Sequence, residues 1–359
     1  MQNLDEKTWN AVQVDNFADV MSGKDIYANE RVDGEHPYIT AGTANNGIGY
    51  FVGNDNSSAD SHVISVNRNG AVGEAFFHPY RALFGNDCRR LKVRESVGDD
   101  AQQFITVVIK GQKDAFSYSR KLGTGRLQRL SVMLPVTDSG EPDYDYMVKY
   151  VQQKREAMLT RYRAHVEKRI AELSEVVEIP VLNEKEWAKF RAFGNEGLFD
   201  IATTGSSIDG IRIIDGDTKK IPYVTRTDSN NGIARFVSDK NLSYGSDDAG
   251  CITVGLDTQT AFWQPHLFVT GQNIQVITGP QLNEWLAQFL IPLFRKQMRA
   301  KFNWGGNGAT LGRMKRLELM LPVNNDGKPD YEYMEQYSKN MMLRKYRQYL
   351  TFLQQHSGA

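Results

Sequence analysis

From Met147 onward, apolar side chains return at Val151, Met158, Tyr162, Val166, Ile170 and Leu173, with Lys, Arg and Glu between them. Near-helical intervals of this kind mark one stripe of an amphipathic helix. Gly140, Pro142 and Asp143 stand just ahead of it, turn residues followed by an acid that suits the positive end of a helix. About thirty residues at about 1.5 Å each predict a rod roughly 45 Å long. Met334, Tyr337, Met341, Tyr349 and Leu353 repeat the pattern towards the C-terminus over about 25 residues. Two such stripes in one chain bury each other most simply as an antiparallel pair.

Ahead of each stripe the pattern changes. Residues 62–66 and 251–254 are short runs with β-branched side chains, bounded by Asn, Asp and Gly, and predict strands. Asn46-Gly47 and Asn231-Gly232 predict tight turns, because glycine accepts the positive φ such turns need. Leu282, Trp285, Leu286, Phe289, Leu293 and Met298 then fall on one helical face, with a kink expected at Pro292. The matching stretch at 104–110 is β-branched enough to pass for a strand, and the cleaner second pattern decides for a helix.

These patterns recur because the sequence is a tandem duplication. LDEKTW at 4–9 returns as LNEKEW at 182–187, offset by 178; HPYITAGTANNGIGYFV at 36–52 returns as IPYVTRTDSNNGIARFV at 221–237, offset by 185. RLQRLSVMLPVTDSGEPDYDYM at 126–147 returns as RMKRLELMLPVNNDGKPDYEYM at 313–334, offset by 187. A unit of roughly 178 residues is far longer than a solenoid repeat and is a domain in itself. The expected fold is α+β: two tandem β-rich modules separated by long antiparallel α-helices, related by a pseudo-twofold internal repeat. The expected boundaries are 1–141 for the first module, 142–178 for the first long helix, 179–328 for the second module and 329–359 for the second helix. Ile179-Pro180-Val181 is the expected entry to the second module.

The 359 residues, 40% hydrophobic and 24% charged, suit two soluble domains with their own cores. No run of 18 apolar residues predicts a membrane span, and the N-terminus lacks a secretory pattern, so a cytoplasmic location is expected. Cys88 and Cys251 sit at non-equivalent repeat positions and are too few for a zinc site or a disulfide framework; both are expected to be buried small hydrophobes.

Net charge is zero, which by itself argues against a nucleic-acid partner. The distribution changes that picture. Residues 110–129 hold six basic side chains and one acid, and their counterpart 295–316 holds seven and none. Aromatics are interleaved in both, Phe116 and Tyr118 in one and Phe302 and Trp304 in the other. Both carry glycine-rich loops, Gly123-Thr124-Gly125 and Gly305-Gly306-Asn307-Gly308. Acidic loops such as Asp99-Asp100 and Asp247-Asp248 offset the charge elsewhere. Lys and Arg neutralise phosphates, glycine lets backbone N–H groups approach an anion, and Arg and Asn can pair with G and A edges.

The candidate contacts to an anionic polymer are therefore Arg120, Lys121 and Arg126 in the first patch, and Lys301, Asn303, Arg313 and Lys315 in the second. Asn45, Asn46, Asn230 and Asn231 are turn residues first, with amides that can reach bases. Arg68 and Asn69 lie in the more suggestive loop Asn67-Arg68-Asn69-Gly70, whose copy Gly255-Leu256-Asp257-Thr258 puts different chemistry on the same frame. Two readers of unlike sequences would diverge in that way.

Catalytic signatures are missing. There is no methyltransferase tetrad, no glycine-rich cofactor loop after a strand, no H-x-x-x-H and no Gly-x-Ser-x-Gly. The Pro-Asp pairs at 142–143 and 329–330 lack the downstream acid-x-Lys of a nuclease core and are better explained as helix caps.

The layout resembles the specificity subunits of type I restriction-modification systems and the closely similar recognition subunits of type IIB systems. The run Ile64-Ser65-Val66-Asn67-Arg68-Asn69-Gly70-Ala71-Val72-Gly73, the glycine-rich loop before 126–135, and the Leu-Pro then Pro-Asp-Tyr runs at 134–144 and 321–331 carry the likeness over essentially the whole chain. The resemblance implies two target-recognition domains, each reading half of a bipartite sequence in double-stranded DNA. It implies helices that form the spacer and dock methyltransferase subunits, with a restriction subunit or a fused methyltransferase-nuclease completing the complex. Those partners would bind S-adenosylmethionine and flip the adenine; this chain would be non-catalytic, with no cofactor and no membrane of its own. The second helix is shorter than the first, a departure from symmetric docking. The alternative is a tandem β-rich module for an anionic polysaccharide or a protein partner, which explains the repeat and the patches but not the paired helices.

Overall fold

The computed structural model describes residues 4–117, 119–302 and 308–356. The chain forms two compact units, Met1–Arg163 and Ala164–Ala359, and the division falls inside one long helix.

The first unit runs β1 (Trp9–Gln13), α1 (Val14–Phe17), β2 (Ala18–Ser22), β3 (Asp33–Ile39), β4 (Ile48–Val52), β5 (Val63–Asn67), β6 (Ala75–His78), β7 (Leu83–Phe84) and β8 (Cys88–Val93). It continues through α2 (Asp99–Lys110), α3 (Thr124–Gln128) and β9 (Ser131–Pro135) into the long α4 (Tyr144–Leu173). The second unit runs β10 (Trp187–Arg191), β11 (Asp200–Thr203), β12 (Lys219–Val224), β13 (Ile233–Ser238), β14 (Cys251–Gly255), β15 (Thr260–Gln264), β16 (Val269–Thr270) and β17 (Ile274–Thr278). After these come α5 (Glu284–Lys301), α6 (Leu311–Met314), β18 (Glu318–Pro322) and α7 (Tyr331–His356).

Strand order proves the duplication. The first unit has a four-stranded sheet β2-β8-β5-β6, a three-stranded sheet β4-β3-β7 and a pair β1-β9; the second has β11-β17-β14-β15, β13-β12-β16 and β10-β18. Each four-stranded sheet is antiparallel, and in each three-stranded sheet one neighbour is parallel, β7 along β3 and β16 along β12. The central strands β5 and β14 are buried on both faces. Ile64, Val66, Ile252 and Val254 face the main core, while the alternate polar side chains Ser65, Asn67 and Thr253 are hydrogen-bonded on the other face. Ile64, Val66, Leu91, Ile105, Leu127 and Leu134 fill the first core between sheet and helix; Ile252, Val254, Ile277, Leu286, Phe294 and Leu319 fill the second.

The repeated sequence blocks are the joints between module and helix. Trp9 stacks on Phe104 at 6.1 Å and Phe104 meets Tyr150 edge-on at 5.7 Å; Trp187, Phe289 and Tyr337 repeat this at 6.4 and 5.6 Å. Each tryptophan donates its Nε1–H to a backbone carbonyl at 3.0 Å, that of Leu4 or Leu182. The Pro-Asp pairs are caps, as expected: Asp143 accepts from the Tyr146 amide at 2.9 Å and Asp330 from the Tyr333 amide at 3.1 Å.

The stretch at 104–110 lies in α2, so the helix inferred from the second copy holds in the first. The α5 helix is capped by the Asn283 side chain and passes through Pro292. Asp99-Asp100 is not a loop but the first turn of α2, where acids oppose the partial positive charge of the free N–H groups. The stripe on α4 is buried only towards its ends. Met147 and Val166 are inaccessible, whereas Met158 is 62% exposed and Tyr162 also faces solvent. In the second unit the tail of α4 lies along α7: His165 meets the Tyr346 ring at 6.5 Å, and the Asn340 amide donates to the Val177 carbonyl at 2.7 Å. Both cysteines are buried and unpaired, their thiols pushed up to about 12 by burial. Among the described residues no helix is long and apolar enough to cross a membrane.

Candidate nucleic-acid interface

Three loops of each unit converge beyond the ends of the central strands. In the first unit they are the turn between β3 and β4, the loop after β5 and the turn before β8. The Asn67 amide ties two of them by donating to the Gly42 carbonyl at 2.9 Å, and the Arg68 amide ties the third by donating to the Asp87 carbonyl at 2.9 Å.

The Asn-Asn-Gly turns are left-handed throughout, with φ of +51°, +54° and +75° at Asn45, Asn46 and Gly47 and +49°, +58° and +78° at Asn230, Asn231 and Gly232. Asparagine tolerates this region better than other residues with a Cβ, because its short amide bonds locally. Asn46 donates its amide to the Phe77 carbonyl at 3.1 Å and to the Tyr80 hydroxyl at 3.0 Å; Asn231 donates to the Trp263 carbonyl at 2.9 Å. The second asparagine of each turn is therefore committed to the scaffold through its N–H groups. The first, Asn45 or Asn230, is exposed.

Beneath the first turn lies a buried polar chain. Ser65 Oγ is 2.8 Å from His78 Nε2, and His78 Nδ1 is 3.3 Å from the Tyr80 hydroxyl. Burial pushes the His78 imidazole down to about 4, so the ring is neutral near pH 7. In the second unit Gln264 occupies the equivalent place, donating to Thr253 Oγ1 at 3.0 Å and to the Asn231 carbonyl at 3.1 Å.

The loop after β5 puts Arg68 and Asn69 on one acid. Arg68 Nε is 3.3 Å from Asp87 Oδ1, and the Asn69 amide donates to Asp87 Oδ2 at 3.3 Å. The copy reverses the pair: Asn273, equivalent to Asp87, donates to Asp257, equivalent to Asn69, at 3.4 Å. Leu256 stands where Arg68 would be, and Arg226, from the loop after β12, pairs with Asp257 instead.

The two basic segments occupy matched places, and part of their charge is compensated. Lys110 and Lys113 clamp Glu74 at 2.7 and 2.9 Å. Burial raises the Glu74 carboxyl, but the hydrogen bonds from these lysines outweigh it and hold the group below the usual carboxylate range. In the second segment Arg295 and Arg299 pair with Asp228. Arg120 lies over the Phe116 ring at 5.9 Å. Arg126 donates to the Lys121 carbonyl at 2.8 Å and Arg313 to the Gly308 carbonyl at 3.0 Å, the same five-residue reach in both copies. Lys121, Arg126 and Lys315 are exposed, and Lys301 closes α5. Asn303, Trp304, Tyr118 and the loop Gly305-Gly306-Asn307 lie outside the described residues. Gly123 has an ordinary φ of −70° and open space where a Cβ would sit.

Asp87, Arg226, Asp257 and Asn273 were not among the residues expected from sequence. The signal available was Ala41 against Arg226, one of three charges, with Asp228 and Arg235, that appear in the second copy of that block.

A family model for the type I restriction modification DNA specificity domain matches the chain twice, over residues 6–173 and 165–349. The Type II restriction enzyme BgcI specificity subunit S.BcgI of Heyndrickxia coagulans is 32% identical over 162 residues, 45% of this chain and 48% of that protein; the match spans about half the length of that curated relative. Among solved structures, a type I restriction-modification S subunit from M. genitalium aligns over 99% of this chain and 94% of its own at 12% identity and a TM-score of 0.47. The HsdS subunit from Thermoanaerobacter tengcongensis aligns over 98% and 92% at 12% identity and a TM-score of 0.29. The twofold family match coincides with the internal repeat.

Proposed function

The chain belongs to the type I restriction-modification DNA specificity domain family, and we propose that each unit reads one half of a bipartite target in double-stranded DNA. DNA specificity is what this family supplies; methylation and cleavage are assigned to other subunits, a methyltransferase with a restriction subunit or a fused methyltransferase-nuclease. Those partners bind S-adenosylmethionine, the long helices α4 and α7 dock them and set the spacer, and the complex works in the cytoplasm.

One observation carries the half-site reading: identical strand order in the two units supports loops whose chemistry has diverged, Arg68-Asn69 over Asp87 in one and Leu256-Asp257 beside Arg226 in the other. A duplicated frame with unlike tips suits two different base sequences read in the same manner. The basic side chains Arg120, Lys121 and Arg126, with Lys301, Arg313 and Lys315 in the copy, supply sequence-independent phosphate contacts. Asn45, Asn46, Asn230 and Asn231 line the approach to the reading loops, and the sequence adds Asn303 as a candidate contact beside the second patch.

The test is co-expression with the genomically adjacent methyltransferase and mapping of modified adenines. Two short sequence blocks separated by a fixed, unspecified spacer are expected. A single contiguous motif, or no chain-dependent modification, overturns the proposal.

A further inference from the structure

The loops contain an arginine–acid arrangement that survives in both units although its parts have moved. In the first unit Arg68 projects from the loop after β5 and rests on Asp87, its side chain 34% exposed. In the second, Arg226 projects from the loop after β12 and rests on Asp257, its side chain 43% exposed. The Asn–Asp contact beside each arginine is kept with its partners interchanged, Asn69 to Asp87 at 3.3 Å and Asn273 to Asp257 at 3.4 Å. Leu256 has replaced one arginine while Arg226 has replaced Ala41, so each unit retains an acid-braced arginine projecting from the loop cluster itself.

The chemistry of the brace sets what such an arginine can bind. A guanidinium offers five N–H donors in a planar fork. Asp87 takes the Nε–H of Arg68, leaving the two terminal nitrogens side by side; Asp257 takes one terminal nitrogen of Arg226, leaving the Nε edge. Either remaining edge presents two parallel donors, which match the N7 and O6 acceptors of guanine in the major groove. Phosphate can take the same two donors, but an acid beside a phosphate-binding arginine weakens that contact by repulsion, whereas a neutral guanine edge is not repelled. The neighbouring Asn–Asp bond fixes the acid, so the fork is aimed before DNA arrives.

Resting on the half-site reading above, we propose that Arg68 and Arg226 each read a guanine, one per half-site, with Asp87 and Asp257 as the positioning residues that orient them. The two arginines come from different loops, so the guanine stands at a different place in each half-site.

The test uses the full chain, a randomised duplex library, and the enriched duplex with single guanines replaced by 7-deazaguanine, which removes the N7 acceptor. For the wild type, replacement at one position in each half-site is expected to weaken binding roughly tenfold or more. R226A abolishes that discrimination in the second half-site and leaves the first intact; R68A does the converse. D257N keeps Arg226 yet loses discrimination, with binding to unrelated DNA undiminished, a split that a merely structural role would not give. Melting curves confirm that each variant is folded. If R226A weakens all duplexes alike and lowers the salt slope, the side chain contacts phosphate and the guanine assignment is overturned, as it is if discrimination persists. A wild-type chain that enriches no sequence overturns the half-site reading beneath it.

Discussion

Lys7 donates to Asp143 Oδ2 at 2.6 Å across 136 residues of sequence, and Lys185 does the same to Asp330 at 2.7 Å in the copy. The pair joins the residues before the first strand to the start of the long helix, and in both units the lysine also lies over a tyrosine ring, Tyr146 at 5.3 Å or Tyr333 at 4.8 Å. Burial raises the Asp143 carboxyl, but the bonds from Lys7 and the Tyr146 amide outweigh it and hold the group below its ordinary value. A carboxyl depressed in the folded state stabilises fully above its unfolded pKa and loses that contribution as pH falls through the folded value. D143N is therefore expected to cost about 1 kcal/mol near neutrality. Its deficit against wild type should fade in acid, below roughly pH 4. Urea unfolding across pH checks this; a deficit that persists unchanged in strong acid contradicts it.

His78 gives an acid sensitivity of a different origin. Its folded pKa of about 4 lies below the unfolded value near 6.5, so between them the unfolded chain binds more protons. Stability is complete above about pH 6.5 and falls as pH drops towards 4, by up to about 3 kcal/mol. H78Q imports the residue that does the same work in the second unit, Gln264. It should remove this slope while leaving the fold intact, and melting temperature against pH is the measurement.

The basic segments make a claim about affinity rather than stability. K121Q/R126Q should weaken DNA binding through the first unit and R313Q/K315Q through the second. Each lost phosphate contact lowers the salt slope by about one. Titrations at several salt concentrations read this directly. Either double variant binding with unchanged affinity and slope removes that segment from the interface.

Two glycines separate conformational from functional demand. Gly47 has a φ of +75°, and a Cβ there would lie 3.2 Å from Ile39 Cγ2 and 3.3 Å from the Phe76 ring. G47A should cost about 1–2 kcal/mol or more. Gly123 has an ordinary φ and open space, so G123A should leave the melting temperature unchanged or slightly raised. A loss of DNA affinity in G123A without loss of stability would show that the backbone there approaches the ligand closely.

What could be read from sequence is what short-range pattern controls. The repeat, the long helices and the left-handed turns follow from spacing and from Asn and Gly, and the ambiguous stretch at 104–110 became a helix once its copy was read beside it. The reading loops did not follow. Asp87 and Arg68 are 19 residues apart, Asp257 and Arg226 are 31, and only folded strands bring them together. Asn46 and Asn231 look alike as turn residues and as base readers; their committed N–H groups are visible only once the neighbouring strand β6 or β15 is in place. The α4 stripe predicted burial along its length, but periodicity reports a helix and not what covers it, and Met158 faces solvent.

In each unit the first and last strands are hydrogen-bonded partners, with Trp9 opposite Pro135 and Trp187 opposite Pro322. The polypeptide therefore enters and leaves a module through one seam. Everything between can be replaced, lengthened or rewired without shifting the ends where it is spliced to its neighbours, provided the two seam strands keep their register. A module built this way is a cartridge: its loops are free to drift towards new chemistry, as Arg226 and Leu256 have done, while the socket that holds it, Lys185 on Asp330 outside the seam, stays the same.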